Sequence, residues 1–291
     1  MSKLSQTESG KAWEFGLANK FADVFRCSLN FDAPYEKAQK SYDILPQLEK
    51  NRMDCAAGEA AIFILTHDSR LNNVSGISIQ PDRTGKEGDV RDLIIFTNNG
   101  EVGISAKHRH NALKHSRLSN KIDFGSSWYG VPCSKSYWNI VRPIFSDLSE
   151  RKDKKQKWNE LKDKNNDYYQ PILNAFVDEV KTYGNISKMM KYLLGVYDYY
   201  KIVKENGIVS FQSFNLYGGN EWGSKLAFPT EIQTFYIDSN RSGCAVMTTD
   251  KGWQVSFRIH NAESRIVPSL KFDVQLIGNP NKLSRHEIHY I

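Results

Sequence analysis

The chain has 291 residues, 40% of them hydrophobic and 25% charged, which is enough apolar material for a packed core in one large domain or two small ones. The formal net charge of +6 suits a polyanionic partner without requiring one. Cys27, Cys55, Cys133 and Cys244 are far apart and form no C-x-x-C pair, which argues against structural zinc and a disulfide framework. No apolar run reaches membrane-span length and Met1–Gln6 has no signal-peptide core, so a cytoplasmic protein without a membrane partner is expected.

In chain order, residues 8–26 predict a helix capped by Ser9, with Trp13, Leu17, Phe21, Val24 and Phe25 on one face. Residues 31–52 predict a further helix, and the small apolar run Cys55–Leu65 a buried one. Ser75–Gln80 alternates and reads as the first strand of a central sheet, followed by a polar loop over Pro81–Gly88. Leu93–Phe96 and Glu101–Lys107 then read as a hairpin turning through Thr97-Asn98-Asn99-Gly100, with the basic string 111–119 as a helix behind it. The charge-rich stretch 147–167 marks a boundary and reads as a solvated face. Two helices are expected over 168–183 and 187–205. From Val209 on, short alternating runs (Ser210–Leu216, Ile232–Ile237, Gly243–Thr248, Gln254–Ile259, Leu270–Ile277) predict a β-rich final third. The expected fold is α/β: a mixed central β-sheet flanked by helices, with a β-rich C-terminal region. It divides into a core (1–146), a helical segment (147–207) and a β-rich region (208–291) that contributes to DNA binding and forms one compact unit with the core.

Closing the hairpin brings an acid, Asp89 or Asp92, close to Lys107. A carboxylate that holds a divalent metal beside a lysine that orients water is the machinery of phosphodiester hydrolysis. The ordinary alternative is a solvated hairpin in which one of the acids pairs with Arg91 or Lys107. Three histidines, His108, His110 and His115, crowd the basic string with Arg109, Lys114 and Arg117. A histidine-metal nuclease would need a second His/Asn cluster at a suitable distance. In its absence these residues read as phosphate and base contacts. Arg258, His260, Asn261 and Lys271 lie on or beside late strands as candidate base readers, since Arg matches guanine and Asn adenine.

The hairpin resembles the PD-(D/E)XK nuclease motif, with Ser105-Ala106-Lys107 where that motif has acid-x-Lys. Four further strings are similar to the HaeIII type of type II restriction endonucleases: Gly10-Lys11-Ala12-Trp13-Glu14, Gly88-Asp89-Val90-Arg91-Asp92, Lys107–Ser119, and Gly252–Ala262 with Pro268–Asp273. The resemblance implies Mg²⁺-dependent cleavage of double-stranded DNA at a short palindrome, GGCC in the type enzyme, and a palindrome suits a homodimer. It favours Asp92, just before Leu93–Phe96, over Asp89 as the metal-binding acid. It leaves the replacement for the missing triplet acid among Glu14, Glu59, Glu101 and Asp123, with Glu14, on the first helix, preferred. A repair or junction-resolving nuclease of the same fold, or a non-enzymatic DNA-binding protein, are the other readings.

Overall fold

The computed structural model describes residues 5–82, 88–109, 112–280 and 282–290. Contacts divide the chain into two units that interleave in sequence. The first comprises 1–111, 195–227 and 282–291; the second comprises 112–194 and 228–281. The three consecutive blocks expected from sequence are therefore replaced, and the charged stretch 147–167 lies inside the second unit instead of at a boundary. No helix among the described residues is long and apolar enough to cross a membrane.

In the first unit, α1 (Gln6–Phe25), α2 (Ala33–Asp43) and α3 (Gln47–His67) pack against a mixed sheet. Its strands are β1 (Ser28–Leu29), β2 (Val74–Ile79), β3 (Leu93–Thr97), β4 (Gly100–His108), β6 (Tyr199–Lys204), β7 (Ile208–Phe214) and β12 (Arg285–His289), in the order β1-β2-β3-β4-β6-β7-β12. α1 starts one turn before the expected cap. Ser5 accepts from the Glu8 backbone while the Glu8 carboxylate accepts from the Ser5 backbone, satisfying two orphan donors at once. Trp13, Leu17, Phe21, Ala56, Ala60 and Ile64 meet Ile77, Ile95, Val102, Ile104 and Phe211 in the core. β3 and β4 form the expected hairpin, with Thr97 paired to Gly100; of the four turn residues only Gly100 takes positive φ.

The helix expected over 187–205 stops at Leu194, and Tyr199–Lys204 is instead a strand running parallel to β4. All six residues of β6 are buried. A strand covered on both faces shows no alternation, so periodicity could not reveal it.

The second unit carries an antiparallel sheet in the order β5-β11-β10-β9-β8. Its strands are β5 (Ala112–Leu118), β8 (Ile232–Ile237), β9 (Cys244–Thr249), β10 (Gln254–His260) and β11 (Leu270–Gly278), accompanied by α4 (Phe124–Tyr129), α5 (Lys135–Asp153), α6 (Gln170–Tyr183) and α7 (Ile186–Leu194). One face of the sheet packs on the helices through Phe257 and Phe272 against Trp128 and Phe176. The other alternates to solvent-facing polar residues, as antiparallel sheets allow.

Candidate active site

Three segments of the first unit converge. Asp92 lies just before β3, where its backbone N–H donates to the Ile104 carbonyl (2.7 Å) and its carbonyl accepts from the Gln80 N–H (2.8 Å). These two bonds fix it between β2 and β4. Its carboxylate accepts from the Lys107 ammonium (2.8 Å), the Ala106 backbone N–H (2.7 Å) and the Ser105 hydroxyl (3.3 Å). Ser105, which stands where the resembling motif has an acid, thus serves as a donor to Asp92. Lys107 reaches Asp92 because it lies two residues after Ser105, on the same face of β4.

Glu14 comes from α1 and is buried, accepting from the Lys11 ammonium at 2.7 Å one helical turn earlier. Burial, and then the negative charge of Asp92, push its carboxyl up to about 7; Lys11 and Lys107 pull the other way. A buried carboxyl whose proton affinity is raised by a neighbouring carboxylate, beside a lysine, forms a centre that a divalent cation would relieve. Among the described residues no group of three or more His, Cys, Asp or Glu is gathered. A pair of hard carboxylate donors nevertheless fits Mg²⁺, which keeps several waters and takes the rest of its shell from phosphate oxygens.

Asp89 is placed differently. Its carboxylate is held by the Arg91 guanidinium through Nε (2.9 Å) and Nη2 (2.8 Å) and by the Arg91 N–H (3.1 Å). Arg91 also donates to Glu101 (2.8 Å) and lies 3.8 Å from the Tyr197 ring centre. Its stem crosses Gly103 so closely that a Cβ there would collide with the Arg91 Cδ and Cγ. Asp89 and Glu101 therefore belong to a clamp on buried Arg91, and the Asp89 carboxylate, expected to share in holding the metal, is turned to that guanidinium. Asp123, in the second unit, caps α4 through the N–H groups of Ser126 and Cys133. Glu59 is half-buried on α3.

The basic string is a strand, and this changes its reading. On a helix Lys114 and Arg117 would share a face; on a strand an odd spacing puts them on opposite faces. Lys114 turns to the helix side, where it donates to the Tyr192 carbonyl (3.2 Å) and lies 3.3 Å from the Tyr192 ring centre. Burial draws its pKa down to about 7. Lys114, expected at a phosphate, is thus directed to Tyr192 in this structure. His108 is buried, with its Nδ1 hydrogen-bonded to the Ser9 hydroxyl, and does not offer the exposed DNA contact expected of it. Arg109 is exposed, with Nη2 donating to Asn206 (3.1 Å). His110 and the side chain of His115 lie outside the described residues.

On the open face of the five-stranded sheet, register aligns His260 with Lys271 and Lys271 with Arg117, while Arg258 stands opposite Asp273. His260 Nε2 pairs with the Asp273 carboxylate at 2.7 Å. Arg117, Arg258, His260 and Lys271 therefore share one polar face, as a base-reading group would require. Asn261 does not join it: its amide oxygen accepts from the Tyr169 hydroxyl (2.9 Å) and its NH₂ donates to the Glu263 carbonyl (2.8 Å).

Sequence reasoning missed Lys11 and Lys201, and it discounts Asp82 because Arg83-Thr84-Gly85, not a strand, follows the literal Pro81-Asp82. Lys11 bridges Glu14 and Asp82, 2.7 Å from each. For Lys11 the Lys11-x-x-Glu14 spacing on a helix was the available signal. Lys201 is buried in β6, its pKa drawn to about 7 by burial and then by the charges of Lys107 and Arg285, against the pull of Asp92.

The sequence model of the HaeIII restriction endonuclease family matches residues 10–280. The type II restriction enzyme HaeIII of Haemophilus aegyptius is 38% identical over 301 aligned positions, covering 94% of each chain. No solved structure shows a significant match.

Proposed function

The chain belongs to the HaeIII restriction endonuclease family, and from that premise we propose that it is a type II restriction endonuclease that uses Mg²⁺ to hydrolyse both strands of DNA at a short palindrome, GGCC by likeness to the type enzyme. The observation that carries the reading is the convergence of Glu14, Asp92 and Lys107 from α1, the β3 entry and the end of β4. Asp92 and Glu14 would hold the metal, which when bound supplies an activated water and neutralises charge at phosphorus. The Lys107 Nζ, released from Asp92 to a non-bridging phosphate oxygen, stabilises the charge that develops during attack. Ala106 N–H and the Ser105 hydroxyl keep the Asp92 carboxylate in one orientation while Lys107 moves. Arg258 and Lys271 present donors suited to guanine edges, and Arg117 a cation for the phosphate backbone. A two-fold palindrome favours a homodimer at the moment of cutting.

The test is digestion of a long, fully sequenced DNA in Mg²⁺ with mapping of the ends. Discrete bands ending at one short palindrome are expected. A smear or structure-selective nicks would point to a repair or resolving nuclease, and intact DNA to a binding protein; each would refute the assignment.

A further inference from the structure

β6 sits in the interior of the first unit's sheet, between β4 and β7, and reads Tyr199-Tyr200-Lys201-Ile202-Val203-Lys204. Such a strand is ordinarily a continuous apolar run, yet Lys201 is only 2% exposed. Its register explains what it faces. Ser105 pairs with Lys201, Lys201 with Gln212, and Gln212 with Arg285. Residues in register on neighbouring strands project to the same face. Ser105 in turn donates to the Asp92 carboxylate. A polar row therefore runs from Asp92 through Ser105, Lys201 and Gln212 to Arg285, with Lys107 on the same side of β4. The Lys201 charge attracts Asp92 and repels Lys107 and Arg285.

We propose that Lys201 is a positioning residue that works through the Asp92–Lys107 pair, an inference that rests on the nuclease reading above. In its protonated form the Lys201 head, sealed beside the pair, holds Asp92 toward the sheet and drives the Lys107 ammonium outward, to the side from which a phosphate must approach. It also leaves Asp92 with a positive neighbour when Lys107 moves away. The position costs stability, because a lysine head is desolvated where methyl groups would pack. A costly buried group kept beside a reactive pair is the pattern of a stability–activity trade-off.

Lys201→Met keeps the length of the side chain and removes the charge. The expected result is a thermal midpoint several degrees higher together with a kcat at least tenfold lower. KM and binding of a cognate duplex in Ca²⁺ should change less than twofold. Lys201→Gln, polar but uncharged, should lose kcat to the same degree. A lower midpoint with kcat tracking the folded fraction would make Lys201 a structural residue only. Wild-type kcat in either variant would show that its charge is not used. Both outcomes overturn the inference while leaving the nuclease reading intact. Absence of cleavage by the wild type would remove the nuclease reading and this inference with it, whereas full cleavage by Lys107→Ala would remove this inference and leave the nuclease reading standing.

Discussion

Asp89 and Asp92 are three residues apart, and the structure assigns them opposite kinds of failure. Asp92→Asn keeps the shape and the Ala106 N–H bond but removes the anion that faces Lys107 and, on the nuclease reading, the metal. Cleavage should fall by at least about 10²-fold, the scale for losing one charge-stabilising group, with an unchanged melting midpoint. Asp89→Asn strips the fork from Arg91, whose side chain is 6% exposed. Breaking a buried ion pair costs about 3–5 kcal/mol. Glu101 at 2.8 Å and the Tyr197 ring remain to hold the guanidinium, so the lower end, about 3 kcal/mol, is expected. At about 2–4 °C per kcal/mol for a domain of this order of size, the midpoint should drop by roughly 6–12 °C. Cleavage at 20 °C should stay within about threefold of wild type, since ΔΔG of this size leaves a domain of ordinary stability folded. The assay pairs thermal unfolding by circular dichroism with single-turnover cleavage of an end-labelled duplex. An Asp89→Asn protein that melts normally and does not cut, beside an Asp92→Asn protein that cuts, would refute the assignment of the two acids.

Lys107→Ala should lose about two orders of magnitude or more in cleavage while binding cognate duplex in Ca²⁺ as the wild type does; cleavage above a tenth of wild type would remove it from the site. Arg258→Ala should cost about 1–3 kcal/mol on the cognate duplex and little on scrambled DNA. Arg117→Ala should weaken both alike and lower the salt slope by about one unit; an equal loss on both duplexes for Arg258 would misplace the reading face. Lys114 has a folded pKa of about 7 against an ordinary value near 10.4. Between those values the unfolded chain therefore carries a proton that the folded chain lacks, and stability contributed by this group rises with pH across the window. Lys114→Met should raise the midpoint at pH 7 and reduce the gain between pH 7 and 10 by at most about 4 kcal/mol; a lower midpoint at pH 7 would show that the Tyr192 contacts outweigh the burial cost.

Where a local signal and the tertiary environment agree, the sequence was readable. The α1 stripe, the β3–β4 hairpin and the short strands from Ile232 to Ile277 each carry their period in plain view, and each is found within a residue or three of its expected bounds. Glu14, Asp92 and Lys107 were nameable because a resembling family places an acid, an acid and a lysine on those elements. The readings that failed did so where a neighbour decides the outcome. Residues 112–118 become a strand because β11 pairs with them, residue by residue from Leu118 opposite Leu270, and no property of Lys-His-Ser-Arg announces that partner. His108 was counted among exposed contacts because a histidine in a basic string looks solvated; a hydroxyl 99 positions away at Ser9 takes it into the interior. Lys201 is the sharpest instance. A lysine in Tyr-Tyr-Lys-Ile-Val-Lys reads as a helix face with a polar stripe, and only the register Ser105–Lys201–Gln212–Arg285 converts it into a charge beside Asp92. The acid and the lysine of the hairpin are legible as a pair because one turn joins them. The residues that set the field around that pair come from strands that the chain reaches only after building part of a second unit, between residues 112 and 194.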